Sequence, residues 1–393
     1  MRLSRSPKAG ATVGEVFALI RDEAVTTRAE IGLITGLSRT AVASRVSSLL
    51  AAGLVLDRAE AASTGGRPPA RLVFNADAGV VLAAAIGRSR TQLGVCNLAG
   101  GVLTMADIDQ EVGIGPDELM PDIAKRLEIL LEDSGHRPDE VRGVGLSIPG
   151  TADTARGCSL DSPTMKGWDG IPLPPYLRQL TSAAIRLDND ANVIVLSERR
   201  GQRDRFDDML LIKASTGLGA GIVAGGVLQR GALGGAGEFG HTKIAAAEGI
   251  VCRCGDTGCL EAVAAGWALV REIQQQGRAV GHVRALVDLA VDGDPDARRL
   301  IRESGRRMGE VLAGAVNLLN PAALVLAGDM AKAYDILVAG LRETVFGNAG
   351  TLATRELQIL PSTHGDRAGV IGCAAMILDH VLSAGAIDAA PMT

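Results

Sequence analysis

One histidine and three closely spaced cysteines form the clearest candidate binding site in this chain of 393 residues. His241 is followed by Cys252, Cys254 and Cys259, and glycines separate the last two cysteines. Zn²⁺ prefers thiolate and imidazole donors, and four of them close a tetrahedral site with no open position. We therefore expect structural zinc on these four side chains. The alternative is three buried cysteines, because free cysteine packs as a small apolar residue. Core positions are expected for the other cysteines: Cys96, Cys158 and Cys373.

A second group of polar residues has the chemistry to bind a hydroxylated ligand. Residues 188–192 (Asp-Asn-Asp-Ala-Asn) lie where a predicted strand passes into a predicted helix. At such a junction a carboxylate can act as a general base on a hydroxyl, and a neighbouring amide can orient it. Glu238, His241 and Glu261 add two carboxylates and an imidazole, and the combined set suits a sugar. Taken singly, each of these residues is more often a helix cap or a surface group than part of a binding site.

Residues 214–221 (Ala-Ser-Thr-Gly-Leu-Gly-Ala-Gly) form a glycine-rich turn between two predicted strands. Backbone N–H groups in such a turn can approach a phosphate closely. A plain hairpin turn explains the same residues equally well, so this segment alone does not indicate a nucleotide.

A third group of polar residues, near the N-terminus, has the chemistry to contact DNA. Residues 1–75 carry ten Lys/Arg and six Asp/Glu, a net charge of +4, whereas the remaining residues carry a net charge of −9. A basic segment on an acidic body is typical of a DNA-reading module attached to a sensor or an enzyme. The alternative is a solvated face on a small helical domain. On the outward face of a predicted helix, and in the basic turn after it, the expected DNA contacts are Ser38, Arg39, Thr40, Ser44, Arg45 and Arg67.

The elements that position these DNA contacts are three short helices and a two-stranded hairpin. In the second helix, Ile31 and Ile34 are expected to face inward. Three helices followed by a hairpin predict a winged helix-turn-helix. Spacing and capping signals place the helices over residues 13–23, after Thr27 and over residues 39–52, and the strands over residues 54–56 and 71–74.

Beyond residue 79, apolar runs of strand length alternate with helical stretches, which predicts an α/β body. Gly-Gly-Val-Leu follows a predicted hairpin twice, at residues 100–103 and 225–228. This weak echo suggests two similar lobes with a cleft between them. The predicted strands are 82–86, 93–97, 141–148, 185–187, 209–213, 221–224 and 324–326, and the predicted helices are 121–134, 191–200, 258–276, 294–319 and 369–382.

Composition excludes several classes of protein. A formal net charge of −5 argues against a general polyanion binder, and an aromatic content of 2% argues against single-strand nucleic-acid binding by stacking. No run of about 18 apolar residues is present, and the basic start lacks the apolar stretch of a secretory signal. Because a metal-type cysteine cluster indicates a reducing compartment, we expect a cytoplasmic protein without a membrane partner.

The quoted motifs resemble those of the ROK family, named for repressors, open reading frames and kinases. The resemblance implies an actin-like, sugar-kinase-type body that forms dimers or tetramers. It also implies zinc on His241 and the three cysteines named above. The segments that carry the resemblance are residues 187–192, 216–223, 234–241 and 252–261, with Gly66-Arg67-Pro68-Pro69 in the head. The sugar contacts that the resemblance implies, with Asp190 the catalytic base in kinase members, are Asn189, Asp190, Glu238, His241 and Glu261.

One departure from the family pattern bears on the class of protein. Kinase members open the body with an Asp-x-Gly-Gly-Thr phosphate loop, and the corresponding residues here are Ala85-Ile86-Gly87-Arg88-Ser89. Ala85 removes a carboxylate that helps to hold Mg²⁺, and Arg88 replaces a glycine that lets the backbone approach phosphates. Ala220 in the second loop is a milder change. Without metal and a close backbone cradle, phosphoryl transfer is poorly stabilised.

We therefore predict a sugar-responsive transcriptional regulator, a repressor of a carbohydrate uptake or catabolism operon, rather than an enzyme. A sugar would bind between the lobes and alter binding to double-stranded operator DNA, which two heads of a homo-oligomer would read as a pseudo-palindrome. One alternative is an ATP-dependent sugar kinase with an accessory DNA-binding head, and another is a regulator gated by a protein partner.

The predicted fold class is α/β: a two-lobed actin-like, sugar-kinase-like (ribonuclease H-like) body with an N-terminal all-α winged helix-turn-helix domain. The predicted domains are the DNA-binding head, residues 1–75; a first lobe, residues 80–190, completed by a C-terminal helix over residues 369–385; and a second lobe with the zinc motif, residues 191–368.

Overall fold

The computed structural model of the protein describes residues 10–58, 71–110, 113–160, 165, 167–200 and 206–390. Arg67, which the sequence predicts as a DNA contact, and the glycines before it lie outside the described residues. Within the described ranges, no helix is both long enough and apolar enough to cross a membrane.

Three helices and a two-stranded antiparallel sheet form the N-terminal head, as the spacing predicts. The first two helices each begin at a capping box, in which a threonine side chain and a glutamate three residues later bond each other's backbone N–H groups. The third helix begins after Ser38, whose Oγ accepts a hydrogen bond from the Ala41 N–H. The elements of the head are α1 (Val13–Arg21), α2 (Arg28–Thr35), α3 (Arg39–Ala51), β1 (Val55–Arg58) and β2 (Arg71–Phe74).

The second helix departs from the prediction in one respect. Ile31 is fully buried, but Ile34 is 49% exposed, so the expectation that both face inward is wrong for Ile34. The eight-residue helix buries only Ile31 and Thr35, one turn apart, so its packing stripe is narrow. A residue three positions after Ile31 lies at the edge of that stripe.

The body contains two five-stranded sheets, one in each half of the sequence. The first half comprises β3 (Val80–Ile86), β4 (Arg90–Asn97), β5 (Val102–Asp109), α4 (Pro116–Asp133), β6 (Val141–Ile148), β7 (Thr151–Asp153), β8 (Cys158–Leu160) and β9 (Ala184–Asn189). The second half comprises α5 (Asp190–Arg199), β10 (Met209–Ala214), β11 (Leu218–Ala224), β12 (Val227–Gln229), α6 (Glu261–Ala264), α7 (Gly266–Gln275), α8 (Val283–Val291), α9 (Pro295–Leu319), β13 (Ala323–Ala327), α10 (Tyr334–Asn348), α11 (Thr351–Thr354), β14 (Gln358–Pro361), α12 (Ala368–Val381) and α13 (Ala384–Ala389).

The two sheets share one topology. Their strand orders are β5-β4-β3-β6-β9 and β12-β11-β10-β13-β14. In each sheet, the first three strands of this order pair with their neighbours in antiparallel fashion. The fourth strand pairs parallel with the third, and the fifth pairs parallel with the fourth. This repetition accounts for the weak sequence echo, and it agrees with the predicted two-lobed α/β body.

The C-terminal helices connect the first sheet, the second half and the head. α12 packs against β3 and β6, and a Cβ on its Gly372 would lie 1.9 Å from the Val193 carbonyl oxygen on α5. α13 packs against α1 so closely that a Cβ on Gly14 would lie 2.0 Å from the Ala384 carbonyl oxygen. One apolar cluster therefore includes side chains of the head, the first sheet, α5, α12 and α13.

The stretch predicted as a single helix over residues 258–276 is two helices, α6 and α7, separated by an extended Ala265 with φ −74° and ψ 155°. The break has a partner on the glycine-rich turn. The Gly266 and Trp267 N–H groups donate to the carbonyl oxygens of Ser215 and Thr216, at 2.9 and 3.1 Å. Two hydrogen bonds to the turn between β10 and β11 thus hold the chain at the break between α6 and α7.

Candidate functional site

A cleft between the two lobes encloses a cavity of about 260 Å³. Its walls come from the turn after β3, the junction of β9 with α5, the turn after β10, the 238–241 segment and the start of α6. The structure brings all five residues predicted to bind sugar to this single cavity: Asn189, Asp190, Glu238, His241 and Glu261.

Asn189 and Asp190 play different parts at the β9–α5 junction. The Asn189 Oδ1 accepts the Ala191 and Asn192 N–H groups, at 2.8 and 3.2 Å, so this side chain is the N-cap of α5. Its Nδ2 donates to the Gly150 carbonyl oxygen at 2.8 Å. The capping alternative therefore holds for Asn189, whose side chain is fixed against the cavity wall. Asp190 is not used in capping.

The Asp190 carboxylate forms an ion pair with Lys213, a residue that the sequence analysis did not single out. Lys213 Nζ lies 2.5 Å from Asp190 Oδ2, and the two side chains are 23% and 14% exposed. The ion pair gives each of these two partly buried charges a partner of opposite sign.

Glu261 is almost wholly buried, at 1% exposure, and its carboxylate is surrounded by donors. The Leu218 N–H donates to Oε2 at 3.0 Å, and the Trp267 indole Nε1 donates to Oε1 at 3.2 Å. Arg88, from the other lobe, places Nη1 3.4 Å from the same Oε1. Because buried carboxylates need hydrogen-bond donors, these contacts fix the direction in which Glu261 faces the cavity.

Glu238 and His241 join the cavity to the cysteine cluster. His241 directs Nε2 towards Glu238 Oε2, at 3.7 Å, while its Nδ1 lies 3.9 Å from Cys252 Sγ. Partial burial raises the pKa of the Glu238 carboxyl, and the neighbouring His241 opposes that rise. One imidazole thus lies between the cavity wall and the cluster.

Charged side chains of this chain also line the cavity beside the turn after β10. Arg88 extends across the cleft with only 11% of its side chain exposed. Residues 215–217 form a hairpin turn, and a Cβ on Gly217 would meet Arg88 and Glu261 at 3.0 Å. Asp329 accepts a hydrogen bond from the Ser215 hydroxyl in the same turn. The turn therefore lies next to both a cation and a carboxylate of this chain.

The four predicted metal ligands form a cluster whose donor atoms all lie within 4.8 Å of one another. Cys254 Sγ and Cys259 Sγ are 3.8 Å apart. Zn–S bonds of about 2.3 Å in a tetrahedron place two sulfurs roughly 3.8 Å apart, so this cluster matches zinc in donor type, number and spacing. With three thiolates and one imidazole as ligands, the ion would brace the 238–241 segment and the loop before α6.

Lys243, which the sequence alone did not indicate, contacts this cluster. Lys243 Nζ donates to Cys259 Sγ at 3.1 Å and to Asp256 Oδ2 at 2.5 Å. Three thiolates around a divalent ion carry one excess negative charge, and the ammonium lies where it offsets that charge. The cysteines outside the cluster are buried, as expected: Cys96, Cys158 and Cys373.

The predicted DNA contacts in the head fall into two groups. Ser38, Arg39, Thr40 and Ser44 are exposed along the N-terminal part of α3. Arg45 is turned back into the head, where its Nε donates to the Ala11 carbonyl oxygen at 2.5 Å and its Nη1 to the Ala41 carbonyl oxygen at 3.2 Å. The structure thus gives Arg45 a bracing contact within the head, in contrast to the exposed side chains before it.

Comparison with known proteins adds a family and several full-length relatives. The sequence pattern of the ROK family matches residues 81–380. A xylose repressor of Caldicellulosiruptor bescii is 28% identical and covers 94% of this chain and 95% of its own length. A ROK family transcriptional regulator, described as a homologue of the Escherichia coli MLC protein, has a similar structure, with a TM-score of 0.77 and 25% identity over 95% of this chain and 96% of its own.

Kinases of the same family match the body. A ROK family glucokinase from Streptomyces griseus, solved with glucose and AMPPNP, has a TM-score of 0.63 and 28% identity. It covers 99% of its own length but 76% of this chain. The regulators, in contrast, match nearly the whole chain, and residues 1–80 lie outside the matched family pattern.

Proposed function

Because the chain belongs to the ROK family, we propose that it is a sugar-responsive, DNA-binding transcriptional repressor of an operon for carbohydrate uptake or catabolism. One observation carries the proposal: a head of three helices and a two-stranded sheet is joined to a sugar-kinase-like cleft on which the five predicted sugar-binding residues converge. The regulators that match nearly the whole chain support this assignment.

The proposed division of labour follows the elements. Residues 1–75 would bind DNA, and residues 80–190 with the C-terminal helix over 369–385 would form the first lobe. Residues 191–368 would form the second lobe. The packing of α12 against β3 and β6 supports the return of the C-terminus to the first lobe. We place the protein in the cytoplasm, where an operator and a reduced thiolate site are both available.

The sugar side of the cleft carries the residues that the proposal needs. Asn189, Asp190, Glu238, His241 and Glu261 would contact the sugar hydroxyls, and their convergence on one cavity supports this role. A structural zinc on His241 and the three clustered cysteines would hold the 238–241 segment in place when bound. In the chain itself, the Leu218 N–H and the Trp267 indole already orient Glu261 towards the cavity.

The second candidate function is a sugar kinase, which the matching glucokinases favour. Phosphoryl transfer needs Mg²⁺ and a backbone cradle for the phosphates. Here Ala85 replaces the carboxylate that would help to hold Mg²⁺, and Arg88 replaces a glycine of the backbone cradle. These two replacements favour a sensor over a catalyst.

Sugar binding would reach the head through helices that share packing contacts. α5 begins at the predicted sugar contacts, α12 packs on α5 at Gly372, and α13 packs on α1 at Gly14. A sugar shifts the equilibrium between two lobe arrangements only by its different affinity for each. In a homodimer or homotetramer, this shift would change the spacing of two heads on a pseudo-palindromic operator.

DNA binding with and without sugar tests the proposal directly. Fluorescence anisotropy would measure binding to the DNA upstream of the chain's own gene at one stated salt concentration, with D-xylose, D-glucose and N-acetyl-D-glucosamine. We expect one sugar to change the DNA affinity about 10-fold or more, within the coupling usual for regulators. Asp190→Ala is the matched control: it should bind DNA equally well and ignore the sugar. An absence of specific DNA binding with every sugar would refute the proposal.

A coupled ATP assay over the same sugars tests the kinase alternative. We expect no turnover above that of a reaction without protein. Clear turnover by the wild type that disappears in Asp190→Ala would make the kinase the correct function.

A further inference from the structure

Trp267 lies behind the cavity wall, between the metal cluster and Glu261, and belongs to neither set of predicted ligands. We propose that Trp267 is a positioning residue that aims the Glu261 carboxylate at the sugar. Arg253 lies in the segment of residues 252–259 that carries the three clustered cysteines, called here the metal loop, and it holds Trp267 in that position. The proposal rests on the proposed function, because it assumes that Glu261 contacts a sugar.

The hydrogen bond from Trp267 to Glu261 joins two buried side chains, 8% and 1% exposed. The indole Nε1 donates to Oε1 at 3.2 Å, and the Leu218 N–H donates to Oε2 at 3.0 Å. These two donors, on two different oxygens, hold the plane and the direction of the carboxylate together with Arg88, whose Nη1 lies 3.4 Å from Oε1. An indole N–H is a donor only, so its presence requires an acceptor and selects a single orientation.

Two guanidinium groups lie over the indole ring. The Cζ atoms of Arg253 and Arg271 are 4.7 and 4.9 Å from the centroid of the Trp267 ring. Both distances are within the roughly 6 Å at which a cation is attracted by an aromatic face. Arg271 is itself held by a hydrogen bond from Nη2 to the Ala262 carbonyl oxygen at 3.0 Å. The ring is therefore fixed by its backbone, by its own N–H and by two cations.

Arg253 connects this arrangement to the metal cluster. It stands between Cys252 and Cys254, so an ion that orders the loop also fixes the backbone from which Arg253 extends. From Arg253 the contacts lead to Trp267 and then to Glu261. The metal loop thus acts on the sugar site through two routes, one through His241 and the other through Trp267.

Trp267→Phe tests the positioning role because phenylalanine keeps an aromatic ring and lacks the N–H. Calorimetry would use D-glucose and D-xylose, together with the monodeoxy analogues of whichever binds. We expect the parent sugar to bind about 10-fold more weakly to Trp267→Phe, the usual loss for a hydrogen bond to a charged group. The one analogue that lacks the hydroxyl bound by Glu261 should bind equally well to both proteins.

Other outcomes decide against the proposal. An equal loss for every analogue would show a merely structural role, and an unchanged affinity for the parent sugar would show no role; each overturns the proposal. Zinc content and DNA affinity without sugar would establish that the variant is folded. If the wild type binds no sugar at all, the proposed function fails together with this inference, and that result is distinct from the other two.

Tryptophan fluorescence tests the link from the metal loop. The chain has two tryptophans, and Trp168 is buried in the first lobe with its Nε1 bonded to the Ile114 carbonyl oxygen. In Trp168→Phe, Trp267 is therefore the sole reporter. We expect a zinc chelator to change its emission, and adding Arg253→Ala to abolish most of that change. Adding Arg271→Ala instead is the matched control and should preserve it. The link would be overturned if the emission did not change with the chelator, or if it changed equally with and without the added Arg253→Ala.

Discussion

The Asp190 carboxylate lines the cavity and lies 2.5 Å from Lys213 Nζ. The same carboxylate can still accept a hydrogen bond from a sugar hydroxyl, because it has more lone pairs than one ammonium uses. Lys213 is therefore compatible with recognition of a sugar hydroxyl by Asp190.

Removal of the metal should lower both the stability of the fold and the affinity for sugar. We expect about one zinc ion per chain, and we expect a chelator, or Cys254→Ser, to lower both the Tm and the sugar affinity. Structural zinc contributes directly to folding free energy, so a Tm decrease of roughly 5 °C or more is expected. Differential scanning calorimetry and titration of the sugar measure the two effects.

Cys158→Ser is the matched control for this prediction, because Cys158 is buried but lies outside the cluster. It should keep the zinc. Chelated protein with unchanged sugar affinity would show that the cluster does not brace the sugar site.

Arg39 should contribute to DNA binding through phosphate contact. It is exposed on the first turn of α3, where a recognition helix meets the DNA. We expect Arg39→Ala to weaken binding to all sequences and to reduce the slope of log affinity against log salt by about one. Anisotropy at several salt concentrations measures the slope. Arg355→Ala removes the same charge from an exposed position on the second lobe and should leave the slope unchanged.

At the scale of elements, the buried strands were predictable because each is a continuous apolar run, as in β3 and β13. β5 was missed, since only one of its eight residues is buried and it lies at the edge of its sheet. α10 was missed for a different reason. Its Gly340 weakens the helical signal, but a Cβ there would lie 1.9 Å from the Arg302 carbonyl oxygen on α9, so the packing requires glycine.

The candidate site shows the same division between what sequence can and cannot reveal. Residue types and motif spacing indicated which side chains line the cavity, and the structure places them together. The partners of those side chains lie far away in sequence: Arg88 and Glu261 are 173 residues apart, and Lys213 and Asp190 are 23 apart. Only the fold brings such pairs into contact. A lysine within the apolar strand β10 was the one signal of the Asp190 pair.

The contact between α1 and α13 leads to a prediction about the head. Gly14→Ala would bring a Cβ to 2.0 Å from the Ala384 carbonyl oxygen, and both groups are attached to backbone, so the two helices must separate. Overpacking of this kind costs typically about 1–3 kcal/mol. We expect the variant to bind sugar normally but to lose most of the sugar effect on DNA affinity, as measured by calorimetry and anisotropy.

Gly385→Ala provides the control on the facing helix. Position 385 has open space around the site of a Cβ, so the substitution should be neutral or slightly stabilising. If Gly14→Ala responds to sugar as fully as Gly385→Ala does, the α1–α13 contact does not transmit the signal.

At the scale of the whole molecule, the head is packed against the body and shares an apolar cluster with it. Its Phe17 belongs to the same apolar cluster as Val81 of the first sheet, Val193 of α5 and Ile387 of α13. Additional polar contacts join the Gly14 N–H to Asp388 Oδ1, at 2.8 Å, and an Arg21 guanidinium nitrogen to the Leu382 carbonyl oxygen, at 3.0 Å. A shift of α5 or α12 must therefore be accommodated by the head or by the contacts that dock it.

Hydrogen exchange can follow this shift across the molecule. When sugar binds, we expect slower amide exchange at the start of α5, because the ligand stabilises the closed cleft locally. We also expect a change of either sign in α12, α13 and α1, since these helices pack on one another in series. In Gly14→Ala the change should persist in α5 and α12 and be lost in α1. A response confined to α5 in the wild type would show that the helices carry no signal, and the sugar would then act on DNA binding only through the arrangement of subunits.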